Sequence, residues 1–235
     1  MSIADNLHRV QERIARAAES AGRRADEITL VGVTKYVDTQ QAFELAQAGC
    51  TNLGESRPQE LWRKTGEVAS ATVPSPRTIH WHLIGHLQRN KVARTLPLVT
   101  LIHSIDSERL LAAINEARAA DPQQTSPVAL LLEVNTSGEA AKTGLETDSI
   151  ERLLATASNY PNIAIRGLMT MAALDGGPAT TARNFAALRE LRDRLKTNTP
   201  DCVQLNELSM GMSDDFEVAI KEGATIVRVG SALWE

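Results

Sequence analysis

Short apolar runs alternate with amphipathic stretches along the whole chain, and this alternation limits the folds open to it more than any other feature. Ile3, Leu7, Val10, Ile14, Ala17 and Ala21 recur every three or four residues, which predicts an opening helix closed by Gly22. A buried strand is expected over Ile28–Val33. The next helix is capped at Asp38-Thr39, carries Ala42, Leu45 and Ala46 on its apolar stripe, and ends at Gly49. Further strands are expected at Asn52–Gly54, Trp81–Gly85, Leu101–His103, Val128–Val134, Ile163–Leu168, Leu205–Leu208 and Thr225–Val229. Helices fill the gaps at Ser56–Ala69, Leu87–Leu96, Ser107–Ala119, Asp148–Ser158, Ala179–Leu195 and Ser213–Glu222. Parallel neighbours need a crossover, so strands alternating with helices predict a parallel sheet. Eight such units in 235 residues point to the α/β class and a single (β/α)8 TIM barrel. A doubly wound open sheet is the alternative, because closure leaves no mark in a sequence.

The punctuation at Val73-Pro74-Ser75-Pro76 and at Asp175-Gly176-Gly177-Pro178 is too short for a domain linker, so residues 1–235 are read as one domain. Aromatic residues are only 3%, and the core must rest on Leu, Ile, Val and Ala. A net charge of -4 without a basic run argues against nucleic acid as a partner. There is no run of about 18 apolar residues to span a membrane. Met1 to Asn6 has neither the basic nor the apolar region of a signal peptide. Cys50 and Cys202 lie too far apart in sequence for a disulfide framework or a Cys-based zinc site, and a reduced, cytoplasmic protein is expected. The acidic charge and the lack of an apolar surface stripe fit a monomer.

Three constellations could carry chemistry. Val31, Val33 and Lys35 share one face by the two-residue period. If that face lines the barrel, Lys35 sits at the C-terminal end, where barrel active sites lie. Partial desolvation there would lower the pKa of the amine and free it as a nucleophile toward carbonyls. The plainer reading is a loop lysine that reaches out to water. The segment Leu208-Ser209-Met210-Gly211-Met212-Ser213-Asp214-Asp215 runs from a strand through a glycine turn into a helix and could meet an anion. Asp214 and Asp215 would repel a dianion at the helix tip, so Ser209 and Met210 are the expected contacts. Ser213 could equally be a simple N-cap. In Ile226-Val227-Arg228-Val229-Gly230-Ser231, Arg228 points inward if the valines pack on helices. It then either binds a ligand or pairs with a carboxylate across the barrel. His80, His82 and His86 have no acidic ligand nearby in sequence, so His82 is read as a hydrogen-bonding residue near the mouth and no metal is expected. The polar loop Asn135–Gly144 suits a barrel top.

A set of motifs in order resembles the YggS/PROSC family of pyridoxal phosphate homeostasis proteins. These are Gly32-Val33-Thr34-Lys35, Leu53-Gly54-Glu55, Trp81-His82-Leu83-Ile84-Gly85, Leu87-Gln88-Arg89-Asn90-Lys91, Ile165-Arg166-Gly167-Leu168-Met169, Leu208-Ser209-Met210-Gly211-Met212-Ser213 and Val227-Arg228-Val229-Gly230. The resemblance implies a barrel like the N-terminal domain of alanine racemase, of fold-type III. It implies pyridoxal 5'-phosphate as cofactor, held as an internal aldimine on Lys35. Ser209, Met210, Gly230 and Ser231 would hold the phosphate, and Arg228 would face the pyridine nitrogen. Asn52, His82 and Ser213 complete the cofactor-binding set. The family is regarded as a carrier of the cofactor, with pyridoxal-phosphate-dependent apoenzymes as partners. Two positions depart from the family pattern. Ser56 stands where the family usually has Asn, and His86 where it often has Pro.

Chemistry supports a carrier over a racemase. Pyridoxal phosphate stabilises carbanions through a protonated ring, and a cationic Arg228 beside that nitrogen disfavours the second positive charge. Lys35 could serve as one base for racemisation. After the eighth strand the chain reaches Glu235 with no second domain to supply the other. A small fold-type III racemase is the alternative, and a cofactor-free aldolase using Lys35 is a third reading.

Overall fold

The computed structural model describes every residue except 1, 71–77, 122, 124–125, 137–142, 174–176, 198 and 201–202. Eight parallel strands close into a barrel in sequence order: β1 (Thr29–Val33), β2 (Asn52–Glu55), β3 (His80–Leu83), β4 (Leu101–Ile105), β5 (Val128–Glu133), β6 (Ile163–Met169), β7 (Val203–Ser209) and β8 (Ile226–Val229). The ring closes where β8 pairs with β1, with Leu30 opposite Val227 and Val31 opposite Arg228. Around it lie α1 (Ile3–Ser20), α2 (Thr39–Ala48), α3 (Pro58–Ala69), α4 (Val92–Thr95), α5 (Glu108–Ala119), α6 (Thr147–Ala155), α7 (Gly177–Lys196), α8 (Phe216–Lys221) and α9 (Ser231–Trp234). The structure therefore settles the choice between a closed barrel and an open sheet.

Strand alternation divides the core in two. Val31, Leu101, Leu131, Met169 and Ile226 fill the barrel interior. Leu53, Leu83, Ile102, Leu130, Leu132, Val227 and Val229 point the other way, into the layer under the helices. A single turn, α9, comes next after β8. α1 packs against α2, α8 and α9 and fills the place of an eighth outer helix. Its buried stripe is Leu7, Val10, Ile14, Ala17 and Ala18, and the Asn6 amide donates to the Leu233 carbonyl (3.1 Å).

The pairing of β6 with β7 shifts register between Ile165 and Gly167. Gly167 is required there, because a Cβ would overlap the Glu207 carbonyl oxygen. The shift turns Met169 and Ser209 to the interior while Leu168 and Leu208 face the helices.

Several boundaries differ from expectation. The helix expected over Leu87–Leu96 is broken into a 3-10 turn (Arg89–Lys91), α4 and a second 3-10 turn (Leu96–Leu98). Pro97 lacks the N–H that a continuing helix needs. α8 begins at Phe216 instead of Ser213, and Asp215 takes the cap position. The one-turn α9 was not anticipated at all. The expected punctuation at Val73–Pro76 and at Asp175-Gly176, most of the polar loop after β5, and Cys202 lie outside the described residues. No described helix is long and apolar enough to cross a membrane.

Candidate functional site

The C-terminal ends of the strands gather most of the residues singled out by sequence. Lys35 lies in the turn two residues beyond β1, and it is exposed. Its Nζ sits over the Tyr36 ring at 4.9 Å from the centroid. The burial on which the desolvation argument rested is absent, because β1 ends at Val33 and the chain has already turned outward. What is buried is the support beneath it. Thr34 Oγ1 donates to Glu55 Oε1 (2.7 Å), and Lys64 Nζ donates to both the Thr34 carbonyl (2.6 Å) and Glu55 Oε1 (2.5 Å). Thr34, Glu55 and Lys64 are all at most 1% exposed. The Trp234 indole N–H, from α9, donates to the Val33 carbonyl (3.0 Å).

Arg228 points into the barrel, as the outward packing of Val227 and Val229 implies. It pairs with no carboxylate among the described residues. NH1 donates to Ser209 Oγ (2.6 Å) and NH2 to the Thr170 carbonyl (3.0 Å). Its other N–H groups have no partner among the described residues. Burial pushes its pKa down to about 10, while the Asp215 and Glu133 carboxylates pull it back up. Glu133 ends β5, nearly buried, and accepts from Thr143 Oγ1 (2.6 Å). Burial raises the Glu133 pKa, and likewise that of Asp215.

The loop residues expected to meet a phosphate divide into two groups. Ser209 is fully buried, and its hydroxyl lies between Arg228 NH1 and His103 Nδ1 (2.8 Å). The Met210 side chain packs under the helices, and its N–H donates to the Ile226 carbonyl (3.1 Å). The expectation of an anion at the Ser209 hydroxyl and the Met210 N–H therefore meets no uncommitted donor, because the first faces His103 and the second is bonded to β8. Ser213, Gly230 and Ser231 lie nearer the surface. The Gly230 N–H donates to Ser213 Oγ (3.1 Å), joining the β7 and β8 loops. The Ser231 and Ala232 N–H groups have no acceptor among the described residues.

His82 is not at this mouth, contrary to expectation, and neither is Asn52. Asn52 opens β2, and with His82 it lines a cavity at the strands' N-terminal ends beside Thr29, Thr100 and Ala129. Both side chains still face inward. His82 Nε2 meets Asn52 Oδ1 (3.1 Å), and His82 Nδ1 meets His103 Nε2 (2.9 Å). The three histidines of the third strand region disperse. His80 is exposed, His82 is interior, and His86 Nδ1 lies 2.9 Å from Asp106 Oδ2 beyond the strand.

The sequence reading missed His103, Glu133, Thr170 and the Glu55–Lys64 pair. His103 was legible in principle: it shares the inward face of its strand with Leu101 by the two-residue period. The Glu55–Lys64 pair joins a strand to a helix and has no periodic signature.

The family model for the N-terminal domain of alanine racemase matches residues 6–235. A protein of Aquifex aeolicus named pyridoxal phosphate homeostasis protein is 39% identical over 234 residues, covering 100% of this chain and 98% of that one. The protein of the same name from Pseudomonas aeruginosa is 36% identical, covering 99% and 95%. This chain belongs to the YggS/PROSC family of pyridoxal phosphate homeostasis proteins. PipY of Synechococcus elongatus, solved with pyridoxal phosphate bound, matches with a TM-score of 0.83 at 30% identity over 100% of both chains. Alanine racemase of Corynebacterium glutamicum shares the fold, with a TM-score of 0.67 at 15% identity over 96% of this chain and 60% of its own.

Within the family pattern, Ser56 in place of Asn lies where the β2 and β3 loops touch. A Cβ on Gly85 would overlap the Ser56 carbonyl. His86 in place of Pro gives the β3 loop a side chain that reaches Asp106 of the β4 loop. Tyr36, Met171 and Met212, the exposed large hydrophobic side chains among the described residues, all follow strand ends at this same mouth.

Proposed function

We propose that this chain binds pyridoxal 5'-phosphate at the C-terminal mouth of one barrel domain and carries it in the cytoplasm, with Lys35 as its covalent anchor. The observation that carries this reading is Arg228, a buried guanidinium with two N–H groups committed to neutral acceptors and no carboxylate partner among the described residues. Such a group needs a further acceptor, and the unprotonated ring nitrogen of pyridoxal phosphate is one.

The remaining residues fit the group as well. A Cβ at Gly230 would stand 3.6 Å from the Val33 side chain, in ordinary contact at the end of β1, so this glycine lies where the β1 and β8 ends meet. The Ser231 and Ala232 N–H groups, beside the Ser213 hydroxyl that accepts from the Gly230 N–H, are the donors a phosphate would meet there. Lys35 on an exposed turn can reach a ligand arriving from solvent. When bound, pyridoxal phosphate supplies an aldehyde carbon for amines and an electron-withdrawing ring. Arg228 would donate at the ring nitrogen, oppose its protonation and weaken electron withdrawal. Exposed Lys35 permits loading and release, which suits a carrier serving pyridoxal-phosphate-dependent apoenzymes.

One observation favours a racemase as the second reading. Glu133, nearly buried at the mouth with a raised pKa, is a carboxyl group able to hold a proton there. The first experiment is the visible spectrum after adding pyridoxal phosphate, followed by borohydride reduction and peptide mass mapping. A visible band and a label on Lys35, both lost in Lys35→Ala, are expected. A colourless, unlabelled protein would overturn the reading. Catalytic loss of α-deuterium from alanine that disappears in Glu133→Gln would replace the carrier with the racemase.

A further inference from the structure

A chain of buried hydrogen bonds crosses the barrel interior from Asn52 to Arg228. Its links are Asn52 Oδ1 to His82 Nε2 (3.1 Å), His82 Nδ1 to His103 Nε2 (2.9 Å), His103 Nδ1 to Ser209 Oγ (2.8 Å) and Ser209 Oγ to Arg228 NH1 (2.6 Å). Its histidines, serine and arginine are at most 4% exposed.

The two ends fix the direction. A guanidinium only donates and an amide oxygen only accepts. Arg228 donates to Ser209, Ser209 donates its one proton to His103 Nδ1, His103 Nε2–H donates to His82 Nδ1, and His82 Nε2–H donates to Asn52. Each link then has one donor and one acceptor, and each imidazole carries a single proton. Turning the Asn52 amide over would reverse the imidazole links and leave the Ser209 proton without an acceptor in the chain. Donors and acceptors aligned in one direction polarise one another, which strengthens Ser209 as an acceptor. The chain ends on an amide, which does not relay protons. It therefore orients and does not conduct.

The charges around it agree. Burial, then His82 and Arg228, hold His103 well below the usual histidine range. Burial, then His80, pushes His82 down to about 4. The charges of Asp215 and Glu133 act on Arg228 and favour its cationic form. Ser209 and the Thr170 carbonyl grip two different nitrogens of the guanidinium and fix its plane.

We propose that His103, backed by His82 and Asn52, is a positioning residue: it holds Ser209 as the acceptor for Arg228 and so presents the guanidinium as a donor to the ring nitrogen of pyridoxal phosphate. This rests on the cofactor reading above and extends it to residues that touch no ligand.

Two measurements test it. The first is 15N NMR of the imidazoles in the wild-type protein without cofactor. Both interior histidines are expected to carry their proton on Nε2 and to keep it there from about pH 8 to about pH 5.5. A proton on His103 Nδ1, in either charge state, overturns the proposal. The second compares pyridoxal phosphate titrations of wild type, His103→Leu and His103→Gln. His103→Leu is expected to weaken binding about tenfold, the upper end of the worth of one neutral hydrogen bond, and to move the visible band. His103→Gln can accept from Ser209 and donate to His82, so it is expected to restore both. If His103→Leu melts lower yet binds with wild-type affinity and spectrum, His103 is only packing and the proposal falls. If wild type itself shows no band and no label on Lys35, the cofactor reading fails. The NMR result still reports the direction of the chain.

Discussion

A lysine two residues past a strand end is placed by the turn that carries it. Here that turn is held from below by Glu55 and Lys64, through both the side chain and the carbonyl of Thr34. The pair is buried, and Glu55 Oε2 has no partner among the described residues, so its contribution is to placement more than to stability. Removing one member strands a charge in the core. Lys64→Met is expected to cost about 3–5 kcal/mol in urea unfolding, whereas Glu55→Leu with Lys64→Met together should recover most of that loss. A double variant as unstable as the single one would show that the cost is lost packing. Lys35 differs in kind: it is exposed, so Lys35→Ala should leave unfolding within about 0.5 kcal/mol of wild type while abolishing the borohydride label.

At the scale of elements, the bulged pairing of β6 and β7 decides which side chains reach the site. Ser209 enters the barrel because the strand pair slips beside Gly167, and the slip is possible because Gly167 has no side chain. Gly167→Ala forces backbone apart. It is expected to cost about 3 kcal/mol or more in stability. In any folded fraction it should also weaken pyridoxal phosphate binding, because Ser209 moves. Retained stability with full binding would show that the register is held by other contacts. Short β8 and single-turn α9 act together in a similar way. α9 brings Trp234 onto the Val33 carbonyl, so the last turn of the described chain braces the strand before Lys35.

Across the whole molecule, two neutral imidazoles inside the barrel couple stability to pH. Their folded values lie below the ordinary histidine value, so below about pH 6.5 the unfolded chain binds more protons than the folded one. The stabilisation is complete above that value and is lost as the pH falls toward about 4 for His82, and further for His103. The slope is about 1.4 kcal/mol per pH unit for each histidine. Glu133 and Asp215, raised by burial, slope the other way across the carboxylate range. Comparison with the His82→Gln, His103→Gln variant cancels them. Thermal melts should show wild type losing stability more steeply than this variant between about pH 7 and about pH 5. Equal slopes would mean that the interior histidines titrate like exposed ones.

The order of elements was legible in the sequence because hydrophobic period is local: two for strands, near three and a half for helices. That placed all eight strands within a few residues and, through the valines of β8, turned Arg228 inward. The family motifs supplied the expected cofactor and its anchor. Tertiary structure decided what depends on contacts between distant segments. The closing pair of β1 with β8 joins residues about 200 apart in sequence. The exposure of Lys35 depends on where a turn leaves the sheet. The placement of Asn52 and His82 at the far end depends on where each strand begins in the barrel. The commitment of Ser209 to His103 and Arg228 brings together three strands, β4, β7 and β8. Period fixes the face on which a side chain lies, whereas its partner is fixed only when the barrel closes.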